Sequence, residues 1–138
     1  MRLTTSRFLL RDLVESDRAA FVAYQRDPRY LRLCDLDKAD GSRVHDHFDL
    51  FISWQQDQPR QNYQVGIFDQ PLGRLCGVAG LRQAGQLEGT AVLGLELAPD
   101  TWGRYRLATE AASALIEHGF HEIGLAPSSA APRAATRG

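Results

Sequence analysis

The stretch PDTWGRYRLATEA, residues Pro99 to Ala111, sets one glycine among Trp102, Arg104, Tyr105 and Arg106, directly before a run of helix-forming residues. A strand that turns straight into a helix leaves the first backbone N–H groups of that helix without intrahelical acceptors, and the macrodipole adds partial positive charge there. Arg104 and Arg106 add full charges and Thr109 a hydroxyl, so the stretch has the ingredients of an anion cradle. A plainer reading uses the same residues: Gly103 permits the turn, Trp102 plugs the end of the core, and the arginines are solvated. A single glycine does not separate the two.

Glu96 is the second residue with chemistry to offer. Period-two alternation sets Leu95 and Leu97 on one face of a strand and Glu96 on the other. Its carboxylate then either serves as a general base or makes a structural salt bridge or faces solvent. Glu110 reads as a helix-surface charge near the positive end of the dipole. His45 and His47, in VHDHFD, stand two apart on a helical segment and point in different directions, with no companion ligands at metal-binding spacing, so no metal site is expected. No local pattern singles out a nucleophilic serine.

The elements that must position these residues follow from periodicity. RFLLRDL, from Arg7 to Leu13, reads as a strand, and Ala20, Phe21, Tyr24 and Gln25 fall on one helical stripe that stops before Pro28. A second helix spans about Ser42 to Asp57, with Ser42 as N-cap and Val44, Phe48, Phe51, Ile52 and Gln55 on one face. The period then becomes extended: Asn62–Asp69, Leu72–Arg82 and Thr90–Ala98 make a three-stranded meander. A last helix, from about Tyr105 to His121, presents Leu107, Ala111, Ala114, Leu115 and His118 to that sheet. The order predicts an α+β fold, a mostly antiparallel sheet with helices on both faces. Ala, Pro, Ser, Thr and Arg dominate after Leu125, so residues 126–138 read as a disordered tail.

Composition bounds the rest. The chain has 138 residues, 43% of them apolar, with 16 Lys and Arg against 17 Asp and Glu. That suits one domain and offers no field for nucleic acid or an acidic membrane. No apolar run reaches the length of a spanning helix and the N-terminus lacks a signal-peptide pattern, so a cytoplasmic protein is expected. Cys34 and Cys76 have no nearby partners in sequence and read as free, buried thiols.

Two stretches carry a family resemblance. RLTTSRFLLRDLVESDRAAFVAYQRDP at the start and LELAPDTWGRYRLATEAASALIEHGFHEIGL later resemble the GNAT superfamily of N-acetyltransferases, in particular its RimJ/RimL-like branch. The matching positions are Leu3, Thr5, Arg7, Leu9, Leu10, Arg11, Leu13, Asp17, Asp27 and Pro28, then Leu97, Pro99, Trp102, Gly103, Arg104, Leu107, Ala108, Thr109, Glu110 and Ala111. The resemblance runs to Gly124 and Leu125, making residues 1–125 an N-acetyltransferase domain truncated before the family's C-terminal strand-helix-strand portion.

The resemblance implies acetyl-CoA as cosubstrate and direct acetyl transfer to a primary amine, on a small molecule or a protein N-terminus. Leu95, Leu97 and Ala98 would line the pantetheine arm. Arg104, Tyr105, Arg106, Leu107, Ala108 and Thr109 would hold the pyrophosphate, and Glu96 would be the base. Tyr105 and Arg106 stand where the family has a second glycine, in a turn one residue longer. Without the family's last strands, the edge beside Leu95 to Ala98 would be exposed and would favour pairing with a second copy. The other reading is therefore a catalytically impaired remnant that binds CoA weakly or pairs with another chain.

Overall fold

The computed structural model describes residues 1–32, 41–103, 106–125 and 130–134, with backbone alone at 41–42 and 130–134. The strands are β1 (Arg2–Thr4), β2 (Phe8–Asp12), β3 (Asn62–Asp69), β4 (Leu75–Arg82), β5 (Ala91–Leu97) and β6 (Ala130–Ala134). They form one sheet in that order. β1 to β5 pair antiparallel, and β6 lies parallel to β5. The helices are α1 (Arg18–Gln25), α2 (Pro28–Leu31), α3 (Gly41–Trp54) and α4 (Leu107–His118), the last continued by a π-helical turn at Gly119–Ile123.

The sheet separates two cores. On one face α4 lays Leu107, Ala111 and Leu115, all fully buried at i, i+4 and i+8, against Leu93, Leu95 and Leu97 of β5 and Ala79 and Leu81 of β4. On the other, Phe21 and Tyr24 of α1, Tyr30 of α2 and Val44, Phe48 and Phe51 of α3 pack over Val78 and Phe68. Side chains of this size stabilise by roughly 1.5–3 kcal/mol each on full burial, so the two stripes hold the helices to the sheet. Trp102 packs against both cores at the end of β5.

The expected α+β architecture is the one observed, with differences at the ends. The N-terminal strand is a hairpin of β1 and β2, and the first helix divides at Asp27, whose carboxylate caps α2 by accepting from the Arg29 N–H at 2.8 Å. The Ser42 cap falls on a side chain that lies outside the described residues, as does Cys34. Five residues of the segment read as a disordered tail, Ala130–Ala134, form β6, in register from Ala91↔Ala130 to Leu95↔Ala134. Composition misses this strand because backbone N–H and C=O groups make it, supplied with partners by the outer edge of β5. Pro132 sits in that outer strand, where a missing donor is tolerated.

Candidate functional site

The alternation expected of β5 is present. Ala91, Leu93, Leu95 and Leu97 are buried against α4, and Val92, Gly94 and Glu96 are half-buried on the opposite face. There Glu96 meets three donors from α1 and α2. The Tyr24 hydroxyl donates to Oε1 at 2.7 Å, the Gln25 Nε2 donates to the same oxygen, and the Tyr30 hydroxyl donates to Oε2. All three donors are less than a tenth exposed. Burial, with the Glu96 charge added, pushes the Tyr24 phenol well above its usual pKa, so it stays protonated and remains a donor. Three bonds leave one of the four carboxylate lone-pair sites for another partner.

Glu96 borders a cavity of about 630 Å³ between the sheet and helices α1 and α3, walled by Phe51 and Trp54 and bounded also by Gln64, Arg82 and Gly94. Among the described residues no cation forms a salt bridge with Glu96, which is half-buried and held by neutral donors beside the cavity. Sequence reading counted Tyr24 and Gln25 as core positions of a helical stripe and made no use of Tyr30 or Arg82. The available signal was the polar character of Gln25 within that stripe.

The end of the same strand leads into the turn. The Ala98 N–H donates to the Cys76 carbonyl of β4 at 2.8 Å, and the indole Nε1 of Trp102 donates to the Leu97 carbonyl at 2.9 Å. Antiparallel alternation therefore directs the Leu97 N–H away from β4, toward the edge beyond the last β5–β6 pair at Leu95. The expectation of an exposed edge from Leu95 to Ala98 is corrected accordingly: β6 pairs with Ala91 to Leu95, and Leu97 and Ala98 past it are themselves buried. Ala98 turns its N–H inward to β4.

Gly103 and Arg106 both adopt left-handed backbone, with φ of 83° and 67°. Glycine does so freely, whereas for arginine the conformation costs roughly 1–2 kcal/mol. Arg106 is the N-cap of α4 and supplies no side-chain cap, and the first helical bond is Glu110 N–H to Arg106 C=O at 2.9 Å. The N–H groups of Leu107, Ala108 and Thr109 thus precede the helical ladder as free donors at the positive end of α4. The Leu107 side chain is buried in the core, so only its backbone serves the turn. Arg104 and Tyr105 lie outside the described residues.

Glu110 does more than decorate the helix surface. It accepts from Thr5 Oγ1, from the Arg7 N–H at 3.1 Å and from Arg7 Nε at 3.0 Å, tying the β1–β2 turn to the first turn of α4. Desolvation raises its pKa, but the bonds from Thr5 and Arg7 outweigh it, and the carboxyl titrates below its ordinary value. Cys76 is buried, its thiol donating to the Arg74 carbonyl at 3.5 Å. His45 contacts Arg18, at 3.2 Å from Nδ1 to the guanidinium, and His47 borders the cavity. Among the described residues, no helix is long and apolar enough to cross a membrane.

The profile described as Acetyltransferase (GNAT) domain matches residues 7–135. Among solved structures, an acetyltransferase from Agrobacterium tumefaciens is 26% identical, with a TM-score of 0.67, over 91% of this chain and 70% of that one. A GNAT-family acetyltransferase from Bacillus anthracis is 18% identical, with a TM-score of 0.68, over 91% and 69%. RimL, a ribosomal L7/L12 alpha-N-protein acetyltransferase solved with coenzyme A, is 16% identical, with a TM-score of 0.69, over 86% and 67%. The last two likenesses speak for the fold alone. No curated protein matches.

Proposed function

Because the chain belongs to the GNAT acetyltransferase family, we propose that it is an acetyl-CoA-dependent N-acetyltransferase acting on a primary amine, protein amino termini among the acceptors. The observation that carries this reading is the coincidence on β5 of Glu96, held beside a cavity, with a strand end that opens into the uncapped start of α4. An acceptor site and an anion-binding turn thereby share one rigid element. Direct transfer needs those two placed together.

The residues present fit the cosubstrate. The N–H groups of Leu107, Ala108 and Thr109 are the donors for the pyrophosphate, with Arg106 beside them. The end of β5, at Leu97 and Ala98, would take the pantetheine arm. Acetyl-CoA supplies an activated acyl group and a thiolate leaving group. Glu96 orients the amine through its remaining lone pair and accepts the proton released as the new amide bond forms. Tyr24, Gln25 and Tyr30 hold its carboxylate in place, and the Leu97 N–H polarises the acetyl carbonyl.

Calorimetric titration with acetyl-CoA, followed by thiol release in the presence of an amine, tests the proposal. Saturable binding that weakens when Thr109→Pro removes one of the helix-start donors is the expected result. Absence of heat at millimolar acetyl-CoA refutes it.

A further inference from the structure

The cavity beside Glu96 has a cationic end. The pairs Arg82↔Val92, Gly80↔Gly94 and Val78↔Glu96 set Arg82 and Glu96 on the same sheet face, and Gln64↔Gly80 brings β3 to the same patch. The Arg82 guanidinium lies 5.1 Å from the Trp54 ring centroid, and its Nη2 donates a long bond, 3.4 Å, to Gln64 Oε1. Stacking and one neutral acceptor leave most of its five donors uncommitted. Among the described residues no carboxylate forms an ion pair with it, and Glu96 acts on it only across the cavity.

Between the charges the floor is bare. Gly94 lies midway along β5, and no heavy atom stands within 4 Å of the position its Cβ would take. At Gly80, opposite, a Cβ would strike the Gln64 side chain. A glycine in a strand interior weakens the strand unless something must approach the backbone closely. Glu96 stands four residues from Val92, the partner of Arg82, so the two charged residues are rooted roughly 13 Å apart at about 3.3 Å per residue, on the same sheet face with the glycine floor between them.

Resting on the acetyltransferase reading, we infer that the cavity selects an amine acceptor that also carries a carboxylate, Glu96 facing the amine and Arg82 the carboxylate. The ligand chemistry is an amino group and a carboxylate a few bonds apart. A free acidic amino acid provides it, and so does a peptide with an acidic residue next to its amino terminus. A guanidinium presents its donors in one plane and favours two-pronged recognition of carboxylate, which an ammonium does not provide.

The test is equilibrium binding of the full chain to free glutamate and to three peptide amides with free amino termini, Ala-Glu-Ala, Ala-Gln-Ala and Ala-Lys-Ala. Ala-Glu-Ala is expected to bind about tenfold tighter than Ala-Gln-Ala, the size of one charge-assisted contact, with Ala-Lys-Ala weakest. Arg82→Gln erases the preference and Arg82→Lys restores part of it, while Gly94→Val, which fills the floor, weakens all three peptides together. Glutamate binding on a par with Ala-Glu-Ala identifies a small acceptor; peptide binding alone identifies an amino terminus. Equal binding of the three peptides, absent binding of the peptides and of glutamate alike, or a preference that survives Arg82→Gln overturns the inference. A parallel acetyl-CoA titration keeps the two readings apart: peptide selectivity without acetyl-CoA binding refutes the transferase and leaves the carboxylate-selective cavity standing, and the reverse pattern does the opposite.

Discussion

Glu96→Gln separates a working carboxylate from a structural one. The amide keeps an oxygen for Tyr24 and Gln25 but turns an NH2 group toward the Tyr30 hydroxyl, which must then accept where it had donated, and all three bonds lose their charge assistance. A hydrogen bond to a charged group contributes about 1.5–3 kcal/mol, part of which returns because an amide is less costly to bury than a carboxylate, leaving a net loss of about 1–2 kcal/mol. For a chain of this size that lowers Tm by roughly 3–8 °C, and the protein stays folded at room temperature. Loss of a general base lowers kcat about 10²–10⁴-fold, equivalent to roughly 2.7–5.5 kcal/mol of barrier. Activity should therefore collapse in a folded protein whose acetyl-CoA affinity is unchanged. The assay is steady-state thiol release with a saturating amine, beside thermal unfolding and acetyl-CoA calorimetry on the same preparation. A folded Glu96→Gln protein that keeps kcat within about threefold of the parent refutes the proton-accepting role, since even weak general-base assistance exceeds that.

Three further outcomes follow from the geometry. The Glu110 carboxyl titrates below its ordinary value in the fold, so its contribution is present above the unfolded pKa and is lost as pH falls through the folded one; thermal unfolding should show Glu110→Gln less stable than the parent at pH 7, the gap closing as pH falls through the folded pKa. A gap that persists in acid contradicts the role given to the Thr5 and Arg7 bonds. Arg106→Gly removes the cost of a left-handed arginine, and the urea midpoint should rise by the equivalent of about 0.5–1 kcal/mol, the residual after glycine's greater unfolded-state freedom; an unchanged or lower midpoint contradicts the strain. Hydrogen exchange should find the Leu93 and Leu95 amides, which alternation directs at β6, well protected, and rapid exchange at Leu93 contradicts the β5–β6 pairing.

What could be read in advance depended on the range of the interaction responsible. The stripe of Leu107, Ala111 and Leu115, the alternation of β5 and the meander of β3, β4 and β5 arise from backbone periods of 3.6 and 2. Gly103 was legible as the turn glycine because few residues adopt its φ of 83°. The left-handed Arg106 was not, since nothing local announces that an arginine will be forced there. Nor was β6, whose Ala-rich composition carries no strand signal and whose partner is 39 positions earlier, in the pair Ala91↔Ala130.

The chain by itself determined which residues share a face, where elements start and stop, and, through the TWGRYRLATE turn, the family. Only the tertiary structure decided what Glu96 is. The donors that hold it come from Tyr24, Gln25 and Tyr30, up to 72 positions away, and the cation that faces it across the cavity comes from the far end of β4. Periodicity can turn a carboxylate toward one side of a sheet. What waits on that side is settled by helix packing and strand register, whose partners are distant in sequence.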